Sequence, residues 1–305
     1  MAGRPNYRTA PLKAISRHMI VEVCRRLLVF GDLRDYVYVG LGGLEFVDFE
    51  LFHQTLGVGT MYSIEANEHK TRLEFNKPYR KIKILHGRSS DVLTDVSELD
   101  SARSIVWLDY TDSLTQFVLG DIAYVASKMT SGSALFVTMN CHFGDSWTLE
   151  LVESNLGDYF DSSLSKGRYL GAGLGEQQLI ACEKAIKKAL DFRVGDFNFE
   201  RALDIRYKDS ARMQVAGWII ADDEHKETRN LCRLSELDFT SPARGDNALT
   251  LSWPELTGLE WDDLARQLPV QAPTELEAPH ESISQETLDK FAAIYRFSRL
   301  EKLYA

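Results

Sequence analysis

The sequence predicts an α/β fold: a doubly wound, mostly parallel, seven-stranded sheet with a C-terminal antiparallel hairpin, plus helical additions at both ends. Three observations predict it. Short apolar runs alternate with helix-period stretches through roughly residue 140. Several of those runs are continuously apolar, as expected of strands covered on both faces. Two strand-like runs, 202–207 and 213–220, then flank the turn-rich Lys208-Asp209-Ser210 and read as a hairpin.

Each element has a local reason. Residues 12–28 read as a helix because Ile15, Met19, Val23 and Leu27 recur on one face, while Arg17, Glu22 and Arg25 fall elsewhere. Phe30-Gly31-Asp32 ends it. The first strand, 36–39, is β-branched and aromatic and stops at Gly40-Leu41-Gly42-Gly43. A helix over 44–56 takes its bulk from Phe46, Phe49, Leu51 and Phe52, and Gly57 and Gly59 close it. The second strand, 61–64, ends on Glu65. A charged helix over 67–76 follows and stops before Pro78. The third strand, 82–85, leaves through Gly87-Arg88-Ser89-Ser90-Asp91 into a short helix. The fourth, 104–108, ends in Asp109-Tyr110-Thr111-Asp112. A helix over 114–128 and the turn Ser131-Gly132-Ser133 lead to the fifth strand, 134–139, which ends at Asn140.

Beyond Phe143 the pattern loosens. A helix over 176–190 precedes the hairpin. Residues 242–247 read as loop, 253–267 as helix with Pro254 near its start, and 269–281 as a Pro/Glu linker. A last helix spans 285–304. Its aromatics, Phe291, Tyr295, Phe297 and Tyr304, read as a docking surface for a partner protein. The expected division is a helical segment 1–32, a main domain 33–222 and an extension 223–305.

Composition bounds the function. The chain has 305 residues, 44% hydrophobic and 26% charged, so its core needs no disulfide support. Four scattered cysteines without a CxxC, and a polar 1–11 stretch with no apolar leader, suggest a cytoplasmic protein. The spacing supports no metal site. No apolar run reaches the roughly 20 residues of a membrane span. A net charge of −10 argues against broad nucleic-acid binding. The stretch 70–88 keeps that question open. It sets Lys70, Arg72, Lys77, Arg80, Lys81, Lys83 and Arg88 against Glu74 alone, as a solvated face or an anion patch.

Ligands of such sheets bind at the carboxyl ends of strands. The exits at Gly40, Glu65, Gly87, Asp109 and Asn140 all fall on that edge. A glycine turn followed by an acid-ended second strand outlines a βαβ unit open to a nucleotide-like ligand, with the acid placed to hold a ribose. The dinucleotide pattern GxGxxG fails at Glu45, which, with the hairpin, argues against an NAD enzyme. The two oxygens of Glu65 suit a vicinal diol, unless Glu65 is only a helix N-terminal acid. Ser90 or Asp91 could equally cap the next helix. Asp109 either acts on a second substrate, or caps a helix or pairs with a cation. His142 is a candidate base, beside Phe143.

Val39-Gly40-Leu41-Gly42-Gly43 resembles motif I of the class I S-adenosylmethionine-dependent methyltransferases, over about residues 33–220. Gly40, Gly42 and Gly43 match, Tyr38 stands at the family's acid, and Leu44 replaces its last glycine. The resemblance implies a Rossmann-like fold with S-adenosylmethionine as cofactor. Gly40, Gly42 and Gly43 would admit it, Glu65 would hold its ribose, and Ser89 or Asp91 would read its adenine. Asp109 would act on the acceptor, Tyr110 would wall the sulfonium by cation–π attraction, and Asn140 would line the acceptor pocket. The implied reaction moves a methyl group to an oxygen or nitrogen of a small-molecule or protein acceptor. The alternative is a non-catalytic methyltransferase-like module that works through a partner protein.

Overall fold

Side-chain alternation along the strands divides the core into two layers. In the computed structural model, which describes residues 10–66, 69–141, 148–163, 172–270 and 272–301, odd and even positions of each strand join different clusters. Tyr38, Met61, Ile105, Trp107 and Phe136 face one way. Val37, Val39, Ile64, Val106, Leu108 and Val137 face the other. Both faces are buried, which is why the runs read as continuously apolar. Asn67, His142, Phe143 and Tyr304 lie outside the described residues.

Strands β1 (Val37–Leu41), β2 (Thr60–Glu65), β3 (Lys83–His86), β4 (Ser104–Asp109) and β5 (Ser133–Asn140) pair in parallel in the order 3-2-1-4-5. The hairpin of β6 (Phe197–Lys208) and β7 (Arg212–Asp222) follows. Its second strand, β7, lies antiparallel against β5 inside the sheet. A short β8 (Leu249–Leu251) then pairs in parallel with β6 and forms the edge. Among the described residues the sheet therefore has eight strands, in the order β3-β2-β1-β4-β5-β7-β6-β8. This corrects the expected seven strands with a terminal hairpin: the antiparallel strand is interior. Three residues, with Leu249 and Leu251 buried around an exposed Thr250, are too few to show a period.

Helices α1 (Pro11–Arg26), α2 (Val47–Leu56) and α3 (Lys70–Asn76) join the first cluster. Helices α4 (Ser89–Val92), α5 (Gln116–Lys128), α6 (Leu149–Leu156) and α7 (Ala172–Asp191) join the second. A short α8 (Lys226–Asn230) follows β7. Helix α9 (Gly258–Arg266) starts later than Pro254 suggests, because Thr257 and Glu260 form a reciprocal capping box. The Pro/Glu segment is anchored: Gln267 exchanges two hydrogen bonds with the Glu277 backbone, and Leu276 is buried.

Two of the aromatics expected on a C-terminal docking surface lie elsewhere. Phe291 and Phe297, on α10 (Gln285–Glu301), are buried in the chain's own core. Phe291 meets Trp261 edge-on at 4.8 Å, and Phe297 meets Phe239 at 5.6 Å. These two rings are spent internally, while Tyr295 is half-buried.

Helix α1 lacks a cap of its own, since Ala10 at its start carries no acceptor. Asp209, in the β6–β7 turn, supplies one by accepting from the Lys13 amide at 3.1 Å. Burial holds the Asp209 carboxyl above its ordinary range, against the backbone bonds from Lys13 and Leu12. Replacing Asp209 with alanine should cost about 1 kcal/mol, the usual worth of a cap, read as a lowered urea midpoint at unchanged slope.

Candidate functional site

β1 pairs with β2 on one side and β4 on the other, so the crossovers diverge there and leave a crevice at the strand ends. Two pockets flank the Leu41-Gly42 backbone in that crevice. The larger, about 790 Å³, is lined among others by Glu65, Ser89, Asp91, Tyr110 and Asp121. The smaller, about 110 Å³, is lined by Gly43, Arg17, Asp48 and Asp109 among others.

Gly40 and Gly42 are sterically required, whereas a Cβ on Gly43 would meet open space. A Cβ on Gly42 would collide with Ser63 Oγ and Glu65 Oε1, and one on Gly40 would collide with the Tyr38 hydroxyl. Tyr38 is buried, stacked on Phe52 at 4.5 Å and edge-on to Phe49 at 5.0 Å. The position where the resembling family has an acid thus holds a core aromatic beneath the turn. Phe46 takes a left-handed backbone at φ 48°, strain of about 1–2 kcal/mol that burial of its ring against Phe49 offsets.

Glu65 ends β2 and is 6% exposed. Burial raises its carboxyl to about 7, and a 3.2 Å hydrogen bond from Ser63 opposes that only in part. It is not a helix-terminal acid, since α3 begins at Lys70. Neither Ser90 nor Asp91 caps α4: Arg88 holds that position without a side-chain bond, and Ser90 instead donates to Asp91 at 3.1 Å.

Asp109 and Tyr110 are adjacent in sequence but separate in space, because successive residues leave a strand toward opposite faces. Asp109 turns to the α1 side, where Lys13 Nζ contacts its Oδ2 at 2.6 Å. It pairs with a cation, and Thr115 caps α5 instead. Tyr110 turns to the larger pocket and donates to Asp121 at 2.8 Å. Asn140 joins neither lining. Its backbone accepts from Ser113 and Gln178, tying β5 to the loop after β4 and to α7.

Helix α1 brings a second ion pair: Arg17 Nε meets Asp48 Oδ1 at 2.5 Å, both nearly buried. Burial pulls the Arg17 guanidinium down, but Asp48 and Asp109 outweigh it and hold it above its ordinary value. Lys13, Arg17, Asp48 and Asp121 are the site residues that sequence reasoning missed. The only signal was Lys13 and Arg17 at i, i+4 on one helix flank. Of the basic stretch, Arg88 reaches the larger pocket, while Lys77 pairs with Glu74 and Lys83 with Glu98. Among the described residues no cluster of three or more His, Cys, Asp or Glu could hold a metal ion. Nor is any helix there long and apolar enough to cross a membrane.

A family model described as "Putative O-methyltransferase" matches residues 5–298. The chain belongs to this family. No curated protein matches it in sequence. Among solved structures it is similar to Trm1 from Pyrococcus horikoshii, in complex with S-adenosyl-L-methionine: 14% identity, TM-score 0.44, covering 74% of this chain and 58% of that one. An O-methyltransferase family protein from Burkholderia thailandensis gives 10%, 0.38, and 70% and 59%. A LepI variant in complex with SAH and a substrate analogue gives 8%, 0.34, and 61% and 43%. The chain thus spans between 43% and 59% of the lengths of these three. Likenesses this loose assign neither ligand nor substrate.

The raised Glu65 carboxyl has a consequence for stability. A folded value of about 7 against 4.5 disfavours the ionised form in the fold. The favourable contribution is complete below 4.5 and is lost as pH rises through 7. Glu65→Gln should therefore stabilise the protein at pH 8 to 9, by at most about 3 kcal/mol at 1.36 kcal/mol per pKa unit. At pH 4 its melting temperature should match the wild type.

Proposed function

We propose that the chain transfers a methyl group from S-adenosylmethionine to an oxygen of its acceptor. The observation that carries this reading is the juxtaposition of Gly42 and Glu65. A backbone with no room for a side chain lies against a buried, diol-sized acceptor at the end of β2. The cofactor supplies a methyl group on a cationic sulfur, already activated for displacement. Glu65 accepts from both ribose hydroxyls. The larger pocket receives the nucleoside, and its carboxylates suit a ligand that bears a positive charge. The smaller pocket, with Arg17 beside Asp48, matches the opposite charges of an amino-acid end. Asp48 there stands in for the acid that Tyr38 displaces.

Asp109 lines the smaller pocket, across the Leu41-Gly42 backbone from the larger one. Lys13 holds its Oδ2, and its buried Oδ1 has no hydrogen-bond partner among the described residues. It is the proposed acceptor of the hydroxyl proton as the new O–C bond forms and the S–C bond breaks. Positioning supplies much of the rate, because the methyl group is reactive before it binds.

Titration calorimetry tests the first step. The wild type should bind S-adenosylmethionine at one site, and Glu65→Ala should weaken that at least tenfold. Wild-type affinity should fall as pH drops below about 7, where Glu65 takes up its proton, and the alanine variant should lose this dependence. Absence of wild-type binding would overturn the proposal. For the second step, Asp109→Asn should leave cofactor affinity unchanged and slow labelled methyl transfer to a hydroxyl acceptor about 100-fold.

The buried Tyr38 favours a second reading, a methyltransferase-like module that acts through a partner. It would bind the cofactor yet label nothing when incubated with cell extract and methyl-labelled cofactor.

A further inference from the structure

The basic stretch 70–88 takes no part in the transfer chemistry above. It sets seven cations against Glu74 alone, in a chain whose net charge is −10. The fold uses two of the seven: Lys77 pairs with Glu74 at 2.7 Å, and Lys83 with Glu98 at 3.4 Å. Lys70, Arg72, Arg80, Lys81 and Arg88 are exposed, and none of them has an ion pair among the described residues. Like charges held close repel one another and add nothing to the fold, so their clustering points to an anionic partner.

Helix α3 gives these cations a direction. Arg72 and Asn76 share a flank, one turn apart. Asn76 Nδ2 donates to the Leu44 carbonyl at 3.0 Å, so that flank lies against the glycine turn. Leu44 stands between Gly43 and Glu45, and both line the smaller pocket with Asp109. Glu74 sits on the opposite flank, where Lys77 holds it. Leu73 is buried in the core, which turns Phe75 outward beside Arg72. Phe75 is 88% exposed. Arg80 and Lys81 follow in the turn before β3, the outer strand of the sheet, and Arg88 leaves β3 at the wall of the larger pocket.

Exposed cations around a solvent-facing aromatic ring match a strand of nucleic acid, whose phosphates take the charges while a splayed base stacks on the ring. A duplex keeps its bases inside, which favours a single strand. A membrane surface would call for an apolar helix face, and α3 offers Phe75 alone. We propose that α3 and the turn after it bind single-stranded RNA, and that a ribose 2′-hydroxyl of that RNA is the acceptor oxygen. RNA carries this hydroxyl at every nucleotide and DNA lacks it. The assignment rests on the oxygen-methylation reading above and names its substrate class. The 2′-hydroxyl proton passes to Asp109 Oδ1, and the ribose oxygen takes the methyl group. The sulfur keeps the electron pair of the broken S–C bond, which leaves S-adenosylhomocysteine.

Fluorescence anisotropy on the full chain, without cofactor, tests the binding half with a labelled, mixed-sequence RNA of roughly 12 nucleotides. Wild-type affinity should fall about fiftyfold between about 50 and about 200 mM salt, as roughly four neutralised phosphates require. Arg72→Gln combined with Lys81→Gln should weaken binding and shrink that dependence to about sevenfold. Phe75→Ala should weaken it about tenfold at unchanged salt dependence, and its exposed position keeps the fold intact by circular dichroism. No wild-type binding at low salt would overturn the proposal. So would binding that neither variant alters, or equal affinity for polyglutamate or for phosphatidylserine vesicles. The transfer half uses methyl-labelled cofactor. The RNA should take label, while the all-deoxy strand of the same sequence should bind the patch and take none. Label on both strands, or none on an RNA seated on the patch, would overturn the acceptor assignment. Calorimetric binding of S-adenosylmethionine is measured without RNA, so the cofactor reading stands or falls separately.

Discussion

The structure depends on the reversal of crossover direction at β1. Strands β2 and β3 are laid down on one side of it and β4 and β5 on the other, so the crossovers part at the carboxyl end of β1. That end must then be closed by something thin. Gly40 and Gly42 are thin enough: the Tyr38 ring fills the space under one, and the Glu65 carboxylate lies against the other. Substituents on either glycine would push a core aromatic or the buried Glu65 carboxyl out of place. Under the proposed reading, packing and recognition are the same constraint at this turn.

Helix α1 completes the arrangement with charge. It crosses the first layer of the core and carries Lys13 to Asp109 and Arg17 to Asp48. Buried ion pairs contribute little net stability once desolvation is counted. In the proposed reading these charges serve a ligand that itself carries both signs. The helix is held at its start by Asp209, from the turn after β6, so the far side of the sheet helps to position the site. Its flank packs on α10.

Most of the parallel sheet was legible, because strands buried on both faces leave apolar runs that no loop imitates. The glycine turn and Glu65 were legible for the same reason: they punctuate such runs. β8 was not, since its pairing with β6 makes a strand of three residues that carry no period of their own. The short α6 and α8 escaped similarly. Phe291 and Phe297 misled, because sequence shows that aromatics must be covered but not by what. Asp109 and Tyr110 read as one unit until the strand sent them to opposite faces.

The sequence by itself determined the strands other than β8, their common direction through β5, and the edge on which polar residues collect. These follow from local periodicity and from glycine, which act over a few residues. Tertiary structure alone decided which charges meet there. Lys13 and Asp109 are 96 positions apart, Ser89 and Asp121 are 32, and no local preference links either pair. Their partnership exists only because the fold removes them together from water, where a charge or a proton must be matched by whatever the topology has placed beside it.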